Sequence, residues 1–198
     1  MAKNKGDLIL RDRMEFDIDG SGDRTTVYGR IDLSAYVSVA NKRGLAVKNI
    51  FFHVREQNSQ RLPNTGLWDW AVADEVADAT GHVAALKLVA TSRAYENMAD
   101  IGIASPDVLC VKEYLSITSP TVNSGDGTSY AYAENFYGPM DLHPEGYTLV
   151  SDLLIGVAAD KWLANTDSTL EVDVMLIAEE VAVTQERMND MLQQAQDL

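Results

Sequence analysis

Short segments in which apolar and polar residues alternate, many of them β-branched, follow one another along almost the whole chain and stop at one amphipathic helix. A period of two puts successive side chains on opposite faces of a strand, so each segment has one face to bury. Eight to ten such segments at close spacing predict an all-β fold: an antiparallel β-sandwich or jelly-roll-like barrel with a C-terminal amphipathic helix. The chain has 198 residues, a length that a single large β-domain accommodates.

The clearest segments are Met14 to Ile18, Thr25 to Leu33, Ala35 to Ala40, Leu45 to Val54, His82 to Thr91, Val108 to Thr118, Tyr130 to Phe136, Tyr147 to Val157 and Thr169 to Val183, with a weaker one at Ile101 to Ser105. Gly29 reads as a bulge, and Asn41-Lys42-Arg43-Gly44 as a turn with a glycine available for positive φ. In the last segment Leu170, Val172, Val174 and Leu176 alternate with Glu171, Asp173, Met175 and Ile177. Its middle is expected to be covered on both sides. The stretch 56–81 breaks the pattern with Pro63, Gly66 and the Trp68-Asp69-Trp70 cluster, and is expected to be a long functional loop with a short helix near Trp70 to Ala77.

From Thr184 the period changes to that of a helix. Thr184 suits the N-cap, Val183 can staple to Met188, and Met188, Met191, Leu192, Ala195 and Leu198 form one apolar stripe. The expected organisation is therefore one β-domain over 1–183, with residues 184–198 as a helix of the same domain. The stripe can pack on its own domain or on a neighbouring copy.

Charge narrows the functional classes. Thirty acidic against 16 basic residues give a formal charge of −14, which disfavours binding of nucleic acid over a broad surface. Residues 141–198 hold only Lys161 and Arg187 as basic side chains, whereas the first thirteen residues hold Lys3, Lys5, Arg11 and Arg13. Any contact with nucleic acid is expected there. No stretch is long and apolar enough for a membrane span or a signal peptide, so the expected location is cytoplasmic, or a virion for a coat subunit.

Sites of chemistry are sparse. Asp17-Ile18-Asp19-Gly20-Ser21-Gly22-Asp23 resembles the start of an EF-hand calcium loop, with oxygen side chains at alternate positions and a glycine turn. Tyr28 stands where the closing glutamate would fall, so Asp17, Asp19 and Asp23 form at best a weak calcium candidate and otherwise a hairpin turn. His53, His82 and His143 are scattered without metal-ligand spacing, although Asp141 and Glu145 flank His143. Cys110, the one cysteine, sits in the apolar run Val108 to Val111 and is expected to be a buried, unreactive thiol, with Lys112 on its side of the strand. No cofactor and no enzymatic activity are expected.

Trp68 and Trp70, with the tyrosines at 130, 132, 137 and 147, can fill a subunit contact or stack on sugar rings. The first use fits a self-assembling structural protein, most concretely a viral coat subunit of jelly-roll type contacting itself and other virion proteins. The second fits a carbohydrate or small-molecule binding module of lectin or cupin kind, assisted by calcium.

Overall fold

The computed structural model of the chain describes residues 6–57, 82–118, 130–144, 146–162 and 167–194. Among them run nine strands: β1 (Leu8–Ile18), β2 (Arg24–Ile31), β3 (Arg43–Glu56), β4 (His82–Thr91), β5 (Val108–Thr118), β6 (Tyr130–Tyr137), β7 (Tyr147–Leu149), β8 (Leu153–Asp160) and β9 (Ser168–Ala182). A single 3-10 turn lies at Met98–Asp100, and two helices, α1 (Pro139–Leu142) and α2 (Gln185–Gln194), complete the list.

The strands form two antiparallel sheets, one of order β1-β9-β3-β7 and one of order β2-β8-β4-β5-β6. The pairing is nested: β1 lies against β9, β2 against β8 and β3 against β7, with β4 and β5 innermost. The chain crosses between sheets on its way out and again on its way back, which is the wrapping of a jelly roll, with β6 added beyond β5. Among the described residues no hydrogen-bonded ladder joins the two sheets. The fold is thus the expected antiparallel sandwich with jelly-roll wrapping, open and not closed into a barrel.

Alternation supplies the core. Leu170, Val172, Val174, Leu176 and Ala178 of β9 point inward and meet Phe16, Ile18, Leu45, Ile50, Val54, Leu86, Leu88, Ala90, Leu153 and Ile155 from both sheets. Fully burying each large aliphatic side chain contributes about 1.5–3 kcal/mol. On the other face of β9, Glu171, Asp173, Met175 and Ile177 are buried or half-buried, because β1 and β3 flank the strand on both sides. Val89, Val108 and Val111, with Met98 and Ile101 laid over them, form a second cluster.

Several local expectations are corrected. Residues 35–40 form turns and no strand, because the N–H groups of Tyr36 and Val37 both donate to the Leu33 carbonyl, leaving only an isolated bridge at Ser38. Ile101 to Ser105 is likewise irregular, following the 3-10 turn. The bulge in β2 falls between Arg24 and Val27. Gly29 is in register, and a Cβ there would lie 3.0 Å from the Met14 sulfur. At the 41–44 turn the positive φ belongs to Lys42. Gly44 instead permits close approach, since a Cβ would meet Val183 at 2.8 Å and the Leu149 carbonyl at 3.0 Å. The expected strand from Tyr147 to Val157 divides into β7 and β8, which belong to different sheets.

Candidate assembly surface

A two-sheet sandwich has four edge strands, and each edge exposes unpaired backbone donors and acceptors to other chains. Three of them carry features that discourage pairing. In β1, Arg11, Asp12, Arg13, Glu15 and Asp17 put charge along most of the strand. The β7 edge is three residues long. The ladder of β2 shifts between Arg24 and Val27, and Arg24 and Arg30 add charge.

The fourth edge is different. Strand β6 is eight residues long, Tyr-Ala-Tyr-Ala-Glu-Asn-Phe-Tyr, and contains no proline, glycine or lysine. It follows β5 without a register shift from Val111↔Tyr137 to Thr118↔Tyr130, so its outer backbone edge is straight. Residues 131–137 are all exposed. Among the large apolar side chains exposed in the described residues, Ile117, Tyr132, Phe136, Tyr137 and Met140 belong to β6, its neighbour β5 or α1, whereas Ile9, Val39, Phe51 and Ile103 are scattered elsewhere.

One half-buried cation organises this corner. Lys112 of β5 pairs with Glu134, and its ammonium lies 5.0 Å from the ring centre of Tyr114 and 5.2 Å from that of Phe136. Glu134 also accepts a hydrogen bond of 3.2 Å from the Tyr132 hydroxyl. Burial lowers the Lys112 pKa from its ordinary value, pushes the Tyr114 phenol up to about 12 and raises Tyr132 as well. The only carboxylate of β6 is thereby matched within its own chain, and the strand's outer edge carries no net charge of its own. Sequence alone points to Tyr132 and Tyr137 and places Lys112 beside Cys110, but gives no role to Glu134 or Phe136; the signal for them is a strand-length run almost devoid of charge in an acidic chain.

The β1 side is organised in the opposite manner. Arg13 donates to Asp173 at 2.6 Å and approaches Glu171 at 3.5 Å, while Arg55 reaches Asp173 at 3.4 Å and Glu171 at 4.0 Å. Burial alone would raise the Asp173 pKa, but hydrogen bonds and charge from Arg13 and Arg55 outweigh it and hold the carboxyl below its ordinary value. Lys48 adds a bridge to Asp7 at 2.5 Å and to Glu179 at 3.0 Å. A shallow depression of about 550 Å3, lined by Arg11, Arg13, Phe51, His53, Asp173 and Met175, lies on this face.

The remaining predicted site residues are placed as follows. Asp19 accepts hydrogen bonds from the N–H groups of Asp23 and Ser21, which lower its pKa and close the β1–β2 turn. Asp17 accepts from the Thr169 hydroxyl and Asp23 from the Lys161 N–H. The three carboxylates serve three separate contacts, and no group of three or more metal-ligating side chains occurs among the described residues. His143 contacts the Val108 carbonyl at 2.8 Å and stacks edge-on with Tyr147, while Asp141 accepts from the Gly138 N–H. A polar cleft of about 270 Å3 lies beside His143, lined also by Ser92, Asp107, Tyr147 and Arg187.

In α2 the Arg187 N–H donates to the Thr184 hydroxyl, as expected of an N-cap. Met188 is fully buried against Val150 and Val183 of its own chain, with Met191 packed beside them. Ala195 and Leu198, like Trp68, Trp70, Lys3, Lys5 and Glu145, lie outside the described residues, as does the side chain of Leu192. Cys110 is buried, and burial pushes its thiol pKa far up. No helix among the described residues is long and apolar enough to cross a membrane.

No protein-family model matches the chain, and comparison with curated proteins finds no match. Fold and surface define an acidic, jelly-roll-like sandwich in which β6 ends its sheet without a further partner strand among the described residues.

Proposed function

We propose that this protein is a structural subunit that assembles with copies of itself, as a coat protein of jelly-roll type does in a virion. The observation that carries the reading is the β6 edge: long, straight, aromatic and electrically matched, where the other three edges are short, bulged or charged. An unprotected edge of this kind is a template for another strand, and natural monomers avoid it. The jelly-roll wrapping is compatible with a coat role, since shells are built from such domains, although lectins and cupins share it. The formal charge of −14 keeps subunits apart in dilute, low-salt solution and makes association favour higher ionic strength.

Light scattering of the purified protein over a range of concentration and salt, followed by negative-stain microscopy, tests the proposal. Discrete large particles or closed oligomers are expected. A monomer that persists at high concentration and high salt overturns it.

A second reading, a carbohydrate or small-molecule binding module, is favoured by the polar cleft beside His143 and Tyr147. It predicts saturable heat release on titration with its ligand class and no change in protein mass.

A further inference from the structure

We infer that the primary contact between copies is β6 paired antiparallel with β6 of a second copy about a two-fold axis, with Ala133 opposite Ala133. The inference rests on the assembly reading above and specifies its geometry.

The register follows from three constraints. A two-fold axis normal to the sheet keeps each face on its own side, and directly opposed residues in an antiparallel pair share a face, so the axis must pass a residue facing its own symmetry mate. Centring the pair on Glu134 sets two carboxylates directly opposite each other, about 4.5–5.5 Å apart at Cβ, which is repulsive. Centring it on position 132 engages only residues 130–134 of the strand. Centring on Ala133 engages 130–136 on both copies, sets methyl against methyl at the axis, and brings Tyr132 of each copy opposite Glu134 of the other.

That last juxtaposition suits the chemistry already present. The Tyr132 hydroxyl donates to Glu134 within the chain, and partial desolvation raises its pKa further above neutral. The same donor and acceptor can therefore exchange partners across the axis without creating an unpaired charge. Lys112, held between the rings of Tyr114 and Phe136, fixes the Glu134 side of this arrangement before association. The two five-stranded sheets then become one continuous sheet, which removes the open edge of each copy.

Single cysteine substitutions test the register in the full chain, because buried Cys110 stays out of the reaction. Residues opposed across an antiparallel pair lie within the Cα separation that a disulfide requires. Under mild oxidation Ala133→Cys is expected to give a covalent dimer on a non-reducing gel. Ala131→Cys and Asn135→Cys should each remain uncrosslinked alone, and their mixture should form the heterodimer.

Absence of the Ala133→Cys dimer in a protein that still forms large particles overturns this inference and leaves the assembly reading standing. Crosslinking of Ala133→Cys no faster than of Ile117→Cys, a residue of β5 off the edge, likewise overturns it, since both then report random collision. A strict monomer with no crosslink overturns both.

Discussion

Two outer edges of the sandwich, β1 and β6, have opposite chemistry. On β1 the side chains of Arg11, Arg13, Glu15 and Asp17 carry both signs of charge, and Arg13 is tied back to Asp173 on the neighbouring strand. On β6 the single carboxylate is matched by Lys112, and aromatic rings fill the exposed positions around it. On the proposed reading exposure alone does not define a contact surface: charge fixed inside the chain makes one edge self-sufficient, while a largely uncharged edge leaves the other free to take a second copy.

The strongest way to break the comparison is to give β6 the chemistry of β1. Ala133→Lys places two ammonium groups against each other at the proposed axis and should weaken association by roughly tenfold or more, toward monomer, as read by light scattering. Ile9→Lys on β1, also an exposed position, should leave the particle mass unchanged. Equal loss from both would erase the distinction between the edges.

A smaller effect is expected from opening the β1 clamp. Asp173→Ala removes the carboxylate that Arg13 and Arg55 share and should cost about 1–2 kcal/mol in denaturant unfolding, whereas Glu134→Gln should change monomer stability by less than about 0.5 kcal/mol. The Asp173 pKa is lower folded than unfolded, so its contribution is fully present above the ordinary aspartate range and is lost as pH falls through the depressed folded value. Unfolding midpoints should therefore hold between roughly pH 5 and 7 and decline below about 4. Asp173→Asn should flatten part of that decline.

The smallest expected effect sharpens the β6 side. Cys110 lies beneath this corner, and burial keeps its thiol protonated well above neutral pH. Thiol reagents should label it only as fast as the domain unfolds. Rapid labelling of the native protein would mean that the Lys112 corner opens, and would remove the rigid platform on which the proposed β6 contact depends.

Much of this architecture can be read from alternation alone. The expected run Val108 to Thr118 coincides with β5, and the β9 pattern divides inward Leu170, Val172, Val174 and Leu176 from outward Glu171, Asp173, Met175 and Ile177. The Thr184 cap and the Val183–Met188 contact follow from spacing as well. What alternation cannot encode is which sheet a strand joins. Residues Val150, Ser151 and Asp152 carry the chain from one sheet to the other within a stretch that reads as continuous, and the crossing is held by a long-range bond from the Leu33 N–H to the Asp152 carboxylate. The status of β6 was hidden for the same reason, because an edge is a property of strand order. Alternation suggested a strand at 35–40, yet local hydrogen bonds to the Leu33 carbonyl won there.

The nested pairing also sets an order of events during folding. Arg13 and Asp173 are 160 residues apart, so the sheet containing β1 and β9 closes only after a very long loop has been brought together. The ladder of β4, β5 and β6 joins strands that are consecutive in the chain and is expected to form earlier. During that interval the nascent protein presents its bare aromatic edge without the acidic sandwich behind it, so folding yield should fall steeply with concentration and recover when refolding is done dilute and cold.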